Sequence, residues 1–230
     1  MEGMRTLPCP KPWRRPDGTP RQDTIPTGAA CTVAVDGETG LLLPSRGTSR
    51  TAAFVLVGVG LALAVLSGFL VTASPVIAVA GGVVLGLLGV LLIAAGLFAL
   101  KHRPVATGFM LTPDAVVLTW LRPVVRLPWD VISEIRPLAL RMGRSPDAPS
   151  RNYLGLVSRG KPDVGERMRK VAVRFGPDVA CAVPVGSLNV DQLVVLHTLE
   201  FYRDHPEARA ELAGDAAVLR VREARLHDAE

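Results

Sequence analysis

Two long apolar runs, 52–73 and 76–100, constrain this chain more than any other feature. They read AAFVLVGVGLALAVLSGFLVTA and VIAVAGGVVLGLLGVLLIAAGLFAL, and neither holds a charged residue. At about 1.5 Å of rise per residue, each reaches across a hydrocarbon core of roughly 30 Å. Core helices of soluble proteins alternate with polar positions every turn, and uniformly apolar stretches of this length are foreign to them. A cleaved signal sequence fits no better, because about fifty residues precede the first run and its length exceeds a signal's apolar region. The two runs are therefore expected to be transmembrane helices.

Between them stands Ser74-Pro75. Serine suits a helix N-cap and proline the first helical position, where its missing N–H costs nothing, so the expectation is a tight antiparallel hairpin. Arg46 and Arg50 precede the first run, Lys101, His102 and Arg103 follow the second, and the intervening turn is uncharged. The positive-inside rule then places both ends in the cytoplasm of a multi-pass inner-membrane protein. Only four of the 26 basic residues are lysines, and Ala, Gly and Val abound, a composition typical of high-GC bacterial genomes.

Within the second run Gly82, Gly86 and Gly89 recur at helical spacing. Small residues at such intervals let helix backbones approach closely, so these three are the candidate helix-packing positions, serving either the hairpin itself or a second copy of the chain. Ion pathways and proton relays need Asp, Glu, Lys, Arg or His inside the membrane, and neither run contains any. A channel or transporter core is correspondingly disfavoured.

Outside 51–100 the charges are mixed: seven basic and five acidic residues up to Arg50, nineteen and sixteen after Leu100. So slight an excess argues against nucleic-acid binding and suits a protein facing an anionic leaflet. Cys9, Cys31 and Cys181 are odd in number and far apart, with no spacing for a metal or a disulfide framework. No cofactor motif is found.

Residues 1–50 are expected to be a largely disordered cytoplasmic tail, rich in Pro, Gly, Thr and Arg up to residue 30. Within it, 31–43 reads as two short strands around an Asp-Gly turn, or as one strand lying beside the membrane. The segment 105–212 is expected to be a domain of its own. Strands are read at 108–112, 115–120, 124–129, 131–140, 152–158, 170–175 and 179–185, with Pro128 and Pro137 marking edges or bulges. In 170–175 the apolar Val171, Val173 and Phe175 alternate with Ala172 and Arg174, the period of a half-buried strand. Cys181 is expected to point inward with Val179 and Val183. A helix then begins near Val190, capped by Asn189 with Gln192 as reciprocal partner, and Leu193, Leu196, Leu199 and Tyr202 form its apolar face. Residues 213–230 read as a peripheral helical tail.

Seven strands followed by one amphipathic helix, with the pieces LTPDAVVL, RLPWDVISEI and FYRDHPEARAEL, resemble the bacterial pleckstrin-homology-like (PH-like) domains of small membrane proteins that carry a transmembrane hairpin. The resemblance covers about 105–212 and the hairpin before it, and its most specific element is Leu127-Pro-Trp129 followed by Ile132 and Ile135. It implies an α+β membrane protein: a two-helix hairpin plus a seven-stranded antiparallel curved sheet capped by a C-terminal helix. Inositide-binding members carry several basic residues in the first strand connection, whereas the matching turn here is Thr112-Pro113-Asp114. Inositide recognition is accordingly not expected.

Basic residues gather instead after Arg141, and the candidate contacts to lipid or a partner are Lys101 and Arg103 beside the hairpin, with Arg141, Arg144, Arg151, Arg167, Arg169 and Lys170. His102, His197, His205 and His227 are read in no catalytic pairing with a nucleophile or carboxylate, and no phosphate-cradling glycine loop lies outside the apolar runs. These features lead to a non-enzymatic scaffold without cofactor or metal. Its partners are expected to be the bilayer and an unidentified protein, with self-association left open. The alternative is an accessory subunit of a transport or stress-resistance complex assembled through the glycine-bearing hairpin.

Overall fold

Small residues decide how the two apolar runs pair. In the computed structural model, which describes residues 7–23, 26, 28–35, 37–46, 50–72, 76–101, 107–121, 124–143, 148–160 and 162–226, they form α1 (Arg50–Val71) and α2 (Val76–Lys101). The Ser74-Pro75 turn lies outside the described residues. The helices pack along their length with glycine at the points of closest approach. A Cβ built on Gly89 would sit 2.7 Å from the Gly60 carbonyl oxygen, and one on Gly86 would sit 2.7 Å from Ser67 Oγ. One on Gly82 would meet Leu70 Cβ and Ser67 O at 3.1 Å. The Ser67 hydroxyl donates to the Gly82 carbonyl at 2.7 Å, so a polar side chain in an apolar helix finds its partner inside the pair. The large side chains point the other way: Phe69 is 72 % exposed and Ile77 87 %. Both helices are long and apolar enough to cross a membrane.

The chain divides into two units, 47–105 holding this hairpin and a second unit made of 1–46 together with 106–230. Among the described residues of the second unit, eight strands form two antiparallel sheets. β1 (Cys31–Val35), β2 (Glu38–Pro44), β3 (Gly108–Leu111), β4 (Ala115–Leu118) and β5 (Val125–Pro128) lie side by side in that order. β6 (Ile132–Arg141), β7 (Ser150–Ser158) and β8 (Val179–Pro184) make the other sheet. Gly37, at φ +84° between β1 and β2, takes the left-handed conformation that this short turn requires.

Strand alternation builds the core. Leu41, Leu111, Val116 and Leu127 are register partners across four strands, and Leu43, Phe109, Leu118 and Val125 make the next row; all eight are buried. They meet Leu154, Leu156, Cys181 and Val183 of the smaller sheet, and Leu196, Leu199 and Tyr202 of α4 (Gln192–Asp204), in one continuous cluster. The anchors read in the sequence after the arginine-bearing strand, Leu127, Trp129, Ile132 and Ile135, are all in it. Pro128 ends an edge strand and Pro137 sits in another, where a missing donor breaks no ladder.

Several expectations are corrected. Segment 105–212 does not make a seven-stranded sheet by itself: it supplies β3–β8, and β1 and β2 come from before the hairpin. The strand expected at 170–175 is instead α3 (Glu166–Ala172) continued by a 3-10 turn, Val173–Phe175. Its residues satisfy both periods. Met168, Val171, Ala172 and Phe175 also recur at helical spacing and pack on the sheet, leaving Val173 65 % exposed. Without that strand β8 pairs β7, and a register shift between Leu156 and Val157 sends Val179 to the opposite face from Cys181 and Val183. Asp191, not Asn189, caps α4, its carboxylate accepting the Leu193 and Val194 N–H groups; Gln192 is turned inward.

The terminal segments also differ from the expected tails. Trp13 is fully buried and its Nε1–H donates to the Leu138 carbonyl at 2.9 Å, pinning residues 7–23 onto β6. At the other end, a 3-10 helix (Pro206–Ala213) and α5 (Asp215–Arg222) place Leu212, Ala217, Val221 and Leu226 in the main core. Composition hid both, because one tryptophan and a few aliphatic residues are enough to order a polar segment once a core exists to receive them.

Candidate functional site

The way the hairpin is inserted positions the site. β2 and β3 are antiparallel neighbours with Pro44 opposite Gly108, and beyond that pair Ser45 N–H donates to the Thr107 carbonyl at 2.7 Å. Residues 47–105 thus replace the turn of a β-hairpin. At this end of the second unit, Ser45 also bridges to Leu188, and the Arg46 N–H donates to the Ser187 carbonyl at 2.7 Å. These bonds bring the end of β2 beside the end of β8 and the start of β7.

Between them lies a cleft of about 540 Å³ lined by Asp23, Arg46, Ser150, Arg151 and Ser187, with Asn152, Pro149, Pro184 and Gly186 completing its wall. One side is held rigidly. The fully buried Asn152 donates through Nδ2 to the Arg21 carbonyl (2.9 Å) and to Gln192 Oε1 (3.1 Å), and its N–H donates to Asp23 Oδ2. The Gln192 amide also donates to the Arg21 carbonyl. A buried amide network of this kind fixes the chain that presents Asp23 and Arg151, because breaking any member strands a partner without water. Chemically the cleft brings together two arginines and the Ser150 hydroxyl, while the Ser187 hydroxyl donates to the Pro184 carbonyl at 2.7 Å and the Asp23 carboxylate accepts a backbone N–H.

Compared with models of protein families, with curated proteins and with solved structures, the chain matches none. The site is therefore read from its own residues.

Of the residues singled out in the sequence, Arg141 and Arg151 fall at the same end of β6 and β7, Arg141 opposite Ser150 and Arg151 opposite Leu140, both exposed. Arg169 and Lys170 are exposed on α3, where Lys170 Nζ pairs with Glu166 at 2.8 Å. Lys101 ends α2 and is exposed. Arg103 and Arg144 lie outside the described residues, as does the side chain of Arg167. Gly82, Gly86 and Gly89 face α1. The glycine face that the alternative reading reserved for a partner is occupied within the hairpin. What the sequence missed is Arg46, counted only as a flanking charge, with Asp23 and Ser187; three segments far apart in the chain converge there, and no spacing signals that.

Elsewhere the titratable groups serve the fold. Burial pushes the Cys181 thiol up to about 12, the state of a small core hydrophobe. Burial works against charge on His197, but its ring nitrogens face two acceptors, Pro8 O at Nε2 and Glu200 Oε2 at Nδ1, each at 2.9 Å, and these hold its pKa above the ordinary 6.5. Burial and the Glu211 carboxylate raise the Tyr202 phenol, whose hydroxyl donates to Glu211 at 2.8 Å, while Arg220 grips both oxygens of the same carboxylate. Among the described residues no group of three or more His, Cys, Asp or Glu is gathered as a metal site.

Proposed function

We propose that this chain is a non-enzymatic binding module anchored in a membrane, with the hairpin spanning the bilayer and the two-sheet unit on its cytoplasmic face as a PH-like scaffold for a protein partner or an anionic lipid. One observation carries the anchoring. The hairpin is packed inside out, glycines and Ser67 between the helices and Phe54, Phe69, Ile77, Leu87 and Phe98 directed outward. In water such a surface is an aggregation hazard, whereas in lipid the outward side chains are solvated and the small residues give the helices their contact. Two antiparallel sheets around one core, with α4 packed on it, support the PH-like reading, and fold-level analogy of this kind bears on architecture rather than activity.

The natural cysteines test sidedness. Cys31 is exposed while Cys181 is buried. In intact cells a membrane-impermeant maleimide is expected to leave Cys31 unmodified and to label it after permeabilisation; labelling of intact cells contradicts the topology. Photo-crosslinking from position 151 or 169 in native membranes is expected to give a discrete adduct with a protein or a lipid. Absence of any adduct from either position contradicts the binding-module reading.

A further inference from the structure

We propose that the cleft between the end of β2, the start of β7 and the end of β8 binds a phosphate group carried at the membrane surface, with Arg46 and Arg151 as its cationic walls and the Ser150 hydroxyl as a neutral donor. The inference rests on the anchoring proposed above and adds a ligand class to it. Two arginines and a serine lining one cleft are a donor set that phosphate oxygens take. The Asp23 carboxylate also lines the cleft and accepts the Asn152 N–H through Oδ2, so one acidic group stands against the two arginines. Covalent connection supplies the second argument: Arg46 is four residues before the first helical residue, Arg50, so at most about 14 Å of chain separates the cleft from the start of α1. With the anchoring proposed above, that tether keeps the cleft within reach of the headgroup layer. Arg141 stands at the same end of the small sheet, with Met142 beside it 50 % exposed, a cationic and apolar pairing suited to a headgroup layer.

The chemistry is shared by two sources, an anionic lipid headgroup and free phosphate, and the test separates them. Full-length protein in neutral detergent is titrated with short-chain phosphatidic acid, with the matching diacylglycerol, which lacks only the phosphate, and with inorganic phosphate. Binding of phosphatidic acid in clear preference to diacylglycerol is expected, with an affinity loss of about fivefold in Arg151→Ala and none in Arg159→Ala. Arg159 is the matched control, exposed and lying beyond the far end of β7. Binding of inorganic phosphate as well, with the same arginine dependence, assigns the site to phosphate from either source; binding of the lipid alone assigns it to the headgroup. Equal affinity for phosphatidic acid and diacylglycerol, or equal loss in Arg151→Ala and Arg159→Ala, overturns the proposal. The anchoring is judged separately, by whether the full-length protein pellets with lipid-only vesicles free of anionic lipid: failure there refutes the anchor, whatever the phosphate titration gives.

Discussion

Trp13 shows how much one side chain can organise. It is the only tryptophan before the hairpin, is fully buried, and gives its indole N–H to the Leu138 carbonyl. Trp13→Ala is expected to destabilise the second unit by about 3–5 kcal/mol, read as a lowered denaturation midpoint, while Trp13→Phe keeps most of the volume and loses about 1 kcal/mol with the hydrogen bond. His197 makes a different statement. Because its folded pKa is raised, its contribution is fully present below the unfolded value near 6.5 and is lost as pH rises through the folded pKa. The denaturation midpoint is therefore expected to fall between pH 6 and pH 8, and Glu200→Gln to flatten that slope; a midpoint that climbs over this range contradicts the assignment. Neither residue announced its role in the sequence. Trp13 sat in a proline-rich stretch without period, and His197 needed the Pro8 carbonyl, far away along the chain, to acquire one.

The hairpin separates glycines of two kinds. Gly60, Gly82, Gly86, Gly89 and Gly96 face the opposite helix, whereas a Cβ on Gly58, Gly68 or Gly81 meets nothing within 4 Å. Gly89→Leu is expected to force the helices apart and cost about 1–3 kcal/mol of hairpin stability in detergent, and Gly58→Leu to leave it unchanged. Equal effects contradict the pairing. At this scale the sequence was legible where one period ruled: the two apolar runs, the strands flanking Pro113-Asp114, and the apolar face of α4 all stand where periodicity put them. It failed at α3, where a short segment satisfies the strand and helix periods together and only the neighbouring sheet arbitrates. The cleft was illegible for a related reason, since its walls come from residues 23, 46, 149–152, 184 and 186–187.

The second unit is interrupted by the first inside one of its own β-hairpins. β1 and β2 precede the membrane-type helices and the other six strands follow them, so the later segment alone lacks two of the five strands in its larger sheet. Leu41 and Leu43, both fully buried, would leave with them. A fragment 106–230 is accordingly expected to be unfolded or aggregated, as judged by the absence of a cooperative unfolding transition. Joining Arg46 to Ala106 through a short Gly-Ser turn restores the connection that the Ser45–Thr107 bonding already prepares. That joined protein gives the most direct test of the central claim, fractionation beside the full-length chain in alkaline carbonate. The account expects the full-length chain to remain in the membrane pellet and the joined protein to appear in the supernatant with a cooperative transition. Release of the full-length chain by carbonate, or retention of the joined protein in the pellet, would contradict it.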